Sequence, residues 1–115
     1  MTESCVFCRI GRGEIPARVV LDTEDLLAFH DLGPQAPVHL LVIPKRHLSS
    51  LAEATDGDAA LLGTLQLAAI EAARRCGIVE SGFRVVVNTG ADAGQSVFHL
   101  HLHVLGGRSF VWPPG

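Results

Sequence analysis

The sequence is poor in charged residues and has no stripe of basic ones. Only 18% of its 115 residues are charged, and the formal net charge is −3. A protein that binds nucleic acid without regard to base sequence needs a basic stripe. The composition therefore predicts that nucleic acid is not a partner.

Long hydrophobic runs, internal repeats and low-complexity tracts are also missing. The longest apolar run, Leu40 to Ile43 with its neighbours, is far shorter than the roughly 20 residues that cross a bilayer, and residues 1–4 begin no signal peptide. Yet 48% of the residues are hydrophobic, which is typical of an ordered chain with one core. We expect a single domain over residues 1–115, soluble and cytoplasmic, without a membrane partner.

Cysteine is scarce, and its odd count of three argues against a disulfide framework. Cys5 and Cys8 form a Cys-x-x-Cys pair, which indicates a metal or redox site in a chain without export signals. A thioredoxin-like role is disfavoured because no βαβ pattern surrounds the pair; the two could also be ordinary buried residues of an N-terminal turn. Cys76 falls on the apolar side of a predicted helix, where a free cysteine acts as a small hydrophobe.

Hydrophobic patterning predicts two helices and five strands. A short helical turn is predicted over residues 5–11, and a helix of about 20 residues begins at Thr55, where Asp58 can complete a capping box, and stops at Gly77. Alternating or continuous apolar runs predict strands over residues 18–21, 26–30, 39–43, 83–88 and 96–105. The order β-β-β-α-β-β predicts an α+β fold, with the long helix packed on a five-stranded antiparallel sheet.

Three histidines alternate with apolar residues in the last predicted strand. Successive side chains on a strand point to opposite faces, so His99, His101 and His103 would share one face. The apolar face would consist of Phe98, Leu100, Leu102 and Val104. A tag-like tract would not alternate with leucine, and a solvated face would more readily use Thr, Lys or Glu. The pattern therefore indicates one core face and one chemical face.

Such a histidine face fits two kinds of chemistry. A neutral imidazole can attack phosphorus while a neighbour about 7 Å along the strand contacts its oxygens, but alternating histidines can equally chelate zinc or copper. Spacing alone does not separate the two. The preceding loop favours phosphate, because Gly90 and Gly94 let backbone N–H groups approach an anion, although glycine is common in hairpin loops for turn geometry alone.

Several blocks of the sequence resemble the histidine triad superfamily. Residues 95–107, Gln-Ser-Val-Phe-His-Leu-His-Leu-His-Val-Leu-Gly-Gly, look like its signature, His-x-His-x-His followed by two apolar residues. The blocks that resemble the histidine triad nucleotide-binding (Hint) branch, in that branch's order, are residues 13–17, 28–31, 34–37, 41–45 and 112–115. The resemblance covers nearly the whole chain.

This resemblance implies a purine nucleoside phosphoramidase or nucleotidyl hydrolase. It would work through a covalent nucleotidyl-histidine intermediate, in a homodimer across which the sheet continues. His101 would be the nucleophile at the α-phosphorus, His103 would bind phosphate oxygens, and His39 would complete the polar cluster. The carbonyl of His99 would fix the tautomer of His101, and Ser96 would donate to the leaving amine or to the phosphate.

The resemblance also implies contacts with the nucleotide. Asp31 would take the ribose hydroxyls beside Leu32, which would pack on the base, and Asn88 would orient the phosphate. Asp31 could instead only cap a turn, and Asn88 could satisfy a strand end. His30 is expected to be structural or solvated. The remaining contacts would come from Gly94 and Gln95 in the phosphate loop and from the tail with Trp112, which would reach the partner's site.

Where related proteins carry the Cys-x-x-Cys pair, the resemblance implies a structural zinc. Its ligands here would be Cys5, Cys8, His47 and His99, a normal tetrahedral set.

Two other functions stay open, a nucleotide-binding interaction protein and a dinucleoside polyphosphate hydrolase. The tail over residues 112–115 and the pair Gln95-Ser96 favour the phosphoramidase over the polyphosphate hydrolase. A pure binder would not require His101.

Overall fold

The computed structural model describes residues 2–115 and contains a five-stranded sheet with helices on both faces. The helices are α1 (Val6–Gly11) and α2 (Ala59–Arg75), with 3-10 turns at Thr2–Ser4, Leu51–Glu53 and Asp56–Asp58. The strands are β1 (Val19–Asp22), β2 (Leu26–His30), β3 (Val38–Pro44), β4 (Phe83–Val86) and β5 (Leu102–Gly106). All neighbours are antiparallel in the order β1-β2-β3-β5-β4, which confirms the predicted fold class.

Strand β3 lies at the centre of the sheet and is buried on both faces. Leu40 and Val42 pack toward α2, whereas Leu41 and Ile43 pack with Phe7 of α1 on the opposite face. This two-sided burial explains why β3 is a continuous apolar run rather than an alternating one.

Helix α2 covers one face of the sheet with a stripe of small side chains. Its buried residues are Leu65, Ala68, Ala69, Ala72 and Ala73. The predicted capping box is present, since Thr55 and Asp58 bond reciprocally, but it closes a separate 3-10 turn, and the α-helix begins only at Ala59. Gly77 ends the helix with φ +73°, as predicted. None of the helices in the described residues is long and apolar enough to cross a membrane.

Strand β5 begins at Leu102, so the predicted strand over residues 96–105 is wrong in its first half. Its pairing with β3 ends at Val42, beyond which the β3 chain reaches Pro44, which has no N–H to donate. Leu100 N–H instead donates to Leu48 O at 2.6 Å, and residues 97–99 form a bend.

The bend changes the face of one predicted core residue. Phe98 is 59% exposed, contrary to its predicted place on the apolar face, whereas Leu100, Leu102 and Val104 are buried against α2 as predicted. The three histidines are therefore not arranged along one regular strand: His103 lies in β5, while His99 and His101 precede it.

Candidate active site and metal cluster

Pairing between β3 and β5 brings two histidines together on the sheet face that carries α1. His103 lies opposite Leu41, and His39 is two residues before Leu41, so both rings project to the same side. His39 Nε2 is 2.9 Å from His103 Nδ1 and 3.3 Å from Asp31 Oδ2.

The orientation of His101 is fixed by a backbone carbonyl. His101 Nδ1 lies 2.7 Å from His99 O, and because a carbonyl only accepts, Nδ1 must carry the proton. The Nε2 atom of the neutral ring then keeps its lone pair. The ring is held edge-on by Phe7, at 5.1 Å between centroids, and lies 5.0 Å from the ring of His103. His101 thus presents an oriented nucleophilic nitrogen.

The same reasoning assigns the protons of His39 and His103. Gln35 N–H donates to His39 Nδ1 at 3.0 Å, so the proton of a neutral His39 sits on Nε2 and is donated to His103 Nδ1. The proton of His103 then sits on Nε2. Beside the lone pair of His101, the site therefore offers an N–H donor suited to an anionic oxygen.

Burial keeps these two rings neutral. It lowers the pKa of His103 to about 4, helped by repulsion from His101 and His39 and opposed by Asp31. Burial likewise lowers the pKa of His39, against the attraction of Asp31. At neutral pH the pair works as a chain of neutral donors and acceptors rather than as fixed charges.

A cavity of about 330 Å³ opens beside the histidines. Its polar end is formed by Asp31, His101 and His103, and Ser96 also lies on the lining. The apolar walls are Val6, Phe7, Ile10, Ile15, Pro16, Ala17, Phe29, Leu32, Leu41 and Val97. Arg18 and His30 lie on its lining as well. A flat aromatic group of modest size, joined to an anionic group, matches this division.

The structure brings together only part of the proposed substrate-contact set. Asp31, Leu32 and Ser96 line the cavity, and Leu32 is fully exposed there. Among the described residues, the lining does not include Asn88, Gly94, Gln95 or Trp112.

The side chain of Gln95 has a different use in the fold. It is 7% exposed; its Oε1 accepts from Gly90 N–H at 2.9 Å, and its Nε2 donates to Ser49 O and Val97 O. Its amide thus satisfies backbone groups that no strand pairs, and the loop geometry depends on it. Asn88 is half-buried just after β4, Gly94 has φ +80° in an exposed turn, and Trp112 is 82% exposed.

A second cluster lies at the bend before β5 and contains the predicted zinc ligands. Cys5 Sγ and Cys8 Sγ lie 3.4 and 3.5 Å from His99 Nδ1, and His47 Nδ1 lies 3.3 Å from Cys8 Sγ and 3.2 Å from His99 Nδ1. A tetrahedral zinc with bonds of about 2.0–2.3 Å separates its ligand atoms by roughly 3.3–3.8 Å. The four side chains thus have close to the spacing that the metal needs.

Proton positions in this cluster also fit a cation. His99 Nε2 lies 2.8 Å from Pro44 O and must carry the proton, so His99 Nδ1 turns a lone pair toward the cluster. Burial, with Cys5 nearby, raises the pKa of Cys8 to about 11, and a bound metal would supply the charge that stabilises its thiolate. Cys5, Cys8, His47 and His99 therefore form a candidate metal-binding cluster.

The trio Asp31, His39 and His103 is also close enough for a metal, but its proton pattern does not fit one. His39 Nδ1 already accepts from Gln35, so turning its Nε2 lone pair to a cation as well would require an imidazolate. This trio is arranged as a hydrogen-bonded chain, whereas the cysteine cluster has converging lone pairs.

Sequence reasoning missed the apolar wall of the cavity and the position of His30. His30 is half-buried, and its Nε2 lies 3.4 Å from an Arg18 Nη atom, which can only donate. Burial and Arg18 lower the pKa of His30. The apolar face of α1 was one available signal of this wall. A six-residue helix with two buried residues, Phe7 and Cys8, must pack on another part of the chain.

Comparison with known proteins decides the family. A family model described as the HIT domain matches residues 12–110. The chain belongs to the HIT domain family. A relative of this HIT protein, an uncharacterized HIT-like protein of Synechocystis sp., is 56% identical over 115 residues and is covered over 100% of both chains.

Solved structures agree with the fold. A HIT family hydrolase from Legionella pneumophila Philadelphia 1 is 47% identical, with a TM-score of 0.95 over 97% of this HIT protein and 100% of that chain. A Zn-bound histidine triad family protein from Mycobacterium smegmatis is 34% identical, with a TM-score of 0.78 over 94% of this chain and 73% of that one.

Proposed function

We propose that this HIT protein is a hydrolase of purine nucleoside phosphoramidates, of the Hint type. The observation that carries the proposal is the tautomer of His101, whose Nδ1–H is held by His99 O so that Nε2 is free to attack. The hydrolase names of similar solved structures support the reaction class.

The cavity supports a nucleotide as substrate. Its apolar walls suit a purine base, and its polar end joins Asp31, a ribose partner, to His101 and His103. The donor on His103 Nε2 would hold a nonbridging oxygen of the α-phosphate. This arrangement would place phosphorus next to the nucleophile.

The reaction would proceed in two displacements. His101 Nε2 forms a bond to the α-phosphorus while the P–N bond breaks, and the leaving amine takes a proton that Ser96, on the cavity lining, relays from solvent. The nucleotidyl-imidazolium carries a positive charge that His99 O stabilises through the Nδ1–H contact. Water then attacks phosphorus, the bond to Nε2 breaks and one proton of the water returns to solvent, so the nucleoside monophosphate leaves with neutral His101 restored.

The metal cluster would hold zinc away from the reacting atoms. Two cysteines and two histidines fill a tetrahedral shell, so the ion would have no open position and would fix the bend rather than act on substrate. The Zn-bound structural neighbour supports the choice of metal.

We propose further that the protein works as a homodimer. The tail exposes Val111 and Trp112 by 78% and 82%, and α2 exposes Leu67 by 67%. Apolar groups of this size are costly to leave in water, and a second copy of the chain would cover them.

A substrate panel tests the activity. Purified protein is assayed against adenosine and guanosine phosphoramidates and against a diadenosine polyphosphate, with His101→Ala as the matched control. We expect turnover of the phosphoramidates that the control lacks. Turnover of the polyphosphate alone would replace the proposal with the polyphosphate hydrolase, and tight nucleotide binding without turnover would favour the interaction protein.

A further inference from the structure

We propose that Arg108 is a positioning residue that sets the proton of His103, acting through Gln35 and His39. The inference rests on the proposed function for its kinetic consequence, whereas the proton position can be measured without any activity. Arg108 itself is exposed, lies outside the cavity lining and touches none of the proposed reacting groups.

Arg108 holds a loop that the sheet does not hold. Among the described residues, the segment 32–37 makes no backbone–backbone hydrogen bond outside the strands, so side chains fix it. Arg108 Nε and Nη2 both donate to Gln35 O, at 3.1 and 3.0 Å. The adjacent Gly107, at φ +87°, backs the same loop so closely that a Cβ there would lie 2.9 Å from Pro37 Cβ.

Gln35, which Arg108 holds in place, determines the proton position of His103 through two hydrogen bonds. Gln35 N–H donates to His39 Nδ1, which leaves the proton on His39 Nε2, and that proton is donated to His103 Nδ1. His103 is then left with an Nε2–H donor. Each step follows from the donor or acceptor character of the group before it.

Without the Gln35 contact, His39 would no longer be restricted to the tautomer with its proton on Nε2. His39 could then carry its proton on Nδ1, and its Nε2 lone pair would face the lone pair of His103 Nδ1 at 2.9 Å. Moving the proton of His103 to Nδ1 relieves that clash, but it leaves a lone pair on Nε2, where a phosphate oxygen needs a donor. Asp31 Oδ2 lies 3.3 Å from His39 Nε2 and favours the working tautomer of His39, whereas the Gln35 contact fixes the same tautomer from the Nδ1 side.

Arg84 provides a matched control for the contact of Arg108 with the tail; apart from Gln35 and the tail ring, Arg108 donates from Nη1 to Ser109 O at 3.0 Å. The Phe110 ring has both guanidinium groups over it, Arg108 at 4.2 Å and Arg84 at 5.0 Å, and Arg84 Nη2 donates to Val111 O in the tail. Arg84→Ala therefore loosens the tail and its cation–π contact without touching Gln35.

The experiment reads the ring nitrogens of His103 directly. We compare ¹⁵N NMR spectra of protein labelled with ¹⁵N-histidine for the wild type, Arg108→Ala, Arg108→Lys and Arg84→Ala. The His103→Gln variant identifies the signals of His103. We expect a bare Nδ1 and a protonated Nε2 on His103 in wild type and Arg84→Ala, and a mixture of tautomers in Arg108→Ala. Arg108→Lys, which keeps one donor, should restore most of the wild-type pattern.

Kinetics give the second readout. Arg108→Ala should lower kcat/KM for a nucleoside phosphoramidate about 10-fold, less than the roughly 10²–10³-fold expected when an oxyanion contact is removed outright. In a His103→Ala background the same substitution should have no further effect. A wild-type tautomer in Arg108→Ala would overturn the inference, as would the same shift in Arg84→Ala. Absence of phosphoramidase activity in the wild type would instead refute the proposed function and leave the tautomer result standing.

Discussion

At the scale of single residues, backbone groups decide what each histidine can do. A neutral imidazole has one donor and one acceptor nitrogen, and a fixed neighbour selects which is which. Through backbone carbonyls, His99 carries its proton on Nε2, which leaves Nδ1 free toward the candidate metal-binding cluster, and His101 carries its proton on Nδ1, which leaves Nε2 free. The N–H of Gln35 instead donates to Nδ1 of His39, so the proton of that ring lies on Nε2. One side-chain type thus supplies a candidate metal ligand, the proposed nucleophile and a donor.

The roles of His101 and His103 predict losses of different size. His101→Ala should lower kcat by several orders of magnitude, because no neighbour can form the covalent intermediate. His103→Ala should cost about 10²–10³-fold, the scale of a lost oxyanion contact. Steady-state kinetics with one phosphoramidate measure both. If His101→Ala keeps more than about a tenth of the activity, a different nucleophile must be sought.

The buried rings predict a loss of stability on the acid side. Above pH 6.5, the ordinary pKa of histidine, His103 is neutral in the folded and the unfolded chain, so its protonation has no effect there. As the pH falls from 6.5 toward 4, the unfolded chain binds a proton that folded His103 resists, because burial lowers its pKa to about 4. Stability should decline across this window and then level off for this group.

Urea unfolding at a series of pH values measures the decline. His103→Gln removes the titrating ring and should give a shallower dependence between pH 6.5 and 4. An unchanged slope in that variant would show that other groups carry the acid sensitivity.

At the scale of elements, the bend at residues 97–99 is the feature that organises both clusters. It interrupts the run toward β5 and lets the ring of His99 reach Pro44 O and the cysteines. Despite the bend, His99 stays on the same side as His101, as alternation predicts, because the Phe7 ring lies 6.0 Å from His99 and 5.1 Å from His101.

The metal cluster predicts a stability loss on removal of a ligand. Cys8→Ser should abolish binding of one zinc per chain and lower the thermal midpoint, because a closed four-ligand site contributes its binding free energy to folding. Cys76→Ser is the matched control, since Cys76 is a half-buried thiol outside the cluster. Elemental analysis and thermal unfolding measure the two effects. If wild-type protein from cells grown with zinc retains less than about a tenth of an equivalent of zinc per chain, the proposed site is contradicted.

Local patterns predicted most elements, and long-range contacts account for what they missed. Strand β2 was predicted with its observed bounds because a polar turn and a proline-rich loop flank it. The exposure of Phe98 was not predictable, since it depends on a bond from Leu100 to Leu48, far apart in the sequence. The same holds for Gln95, whose amide binds a carbonyl 46 residues away.

The candidate site was predictable in its histidines but not in its cavity. Alternation and the family resemblance indicated His101 and His103, which lie together as expected. The apolar wall comes from α1, the segment after it and β2, and only packing of α1 on the sheet brings these distant segments together.

At the scale of the whole molecule, exposed apolar groups predict a homodimer. Deleting residues 110–115 should change the preference for the leaving group more than the affinity for nucleotide, because the tail lies outside the cavity of its own chain. Leu67→Glu on α2 should weaken association without touching the site. Light scattering at micromolar concentration and kinetics with varied amines measure both. A monomeric wild type, or unchanged kinetics after the deletion, would count against this assembly.

His99 makes contacts through both its side chain and its backbone, so a substitution at this position removes only the side-chain contacts. Its ring belongs to the candidate metal-binding cluster, but its contact with His101 is made by a carbonyl oxygen that every amino acid possesses. Replacing the ring can shift that oxygen but cannot delete it. The proton position of His101 thus depends on the main chain at position 99 rather than on the identity of the side chain there.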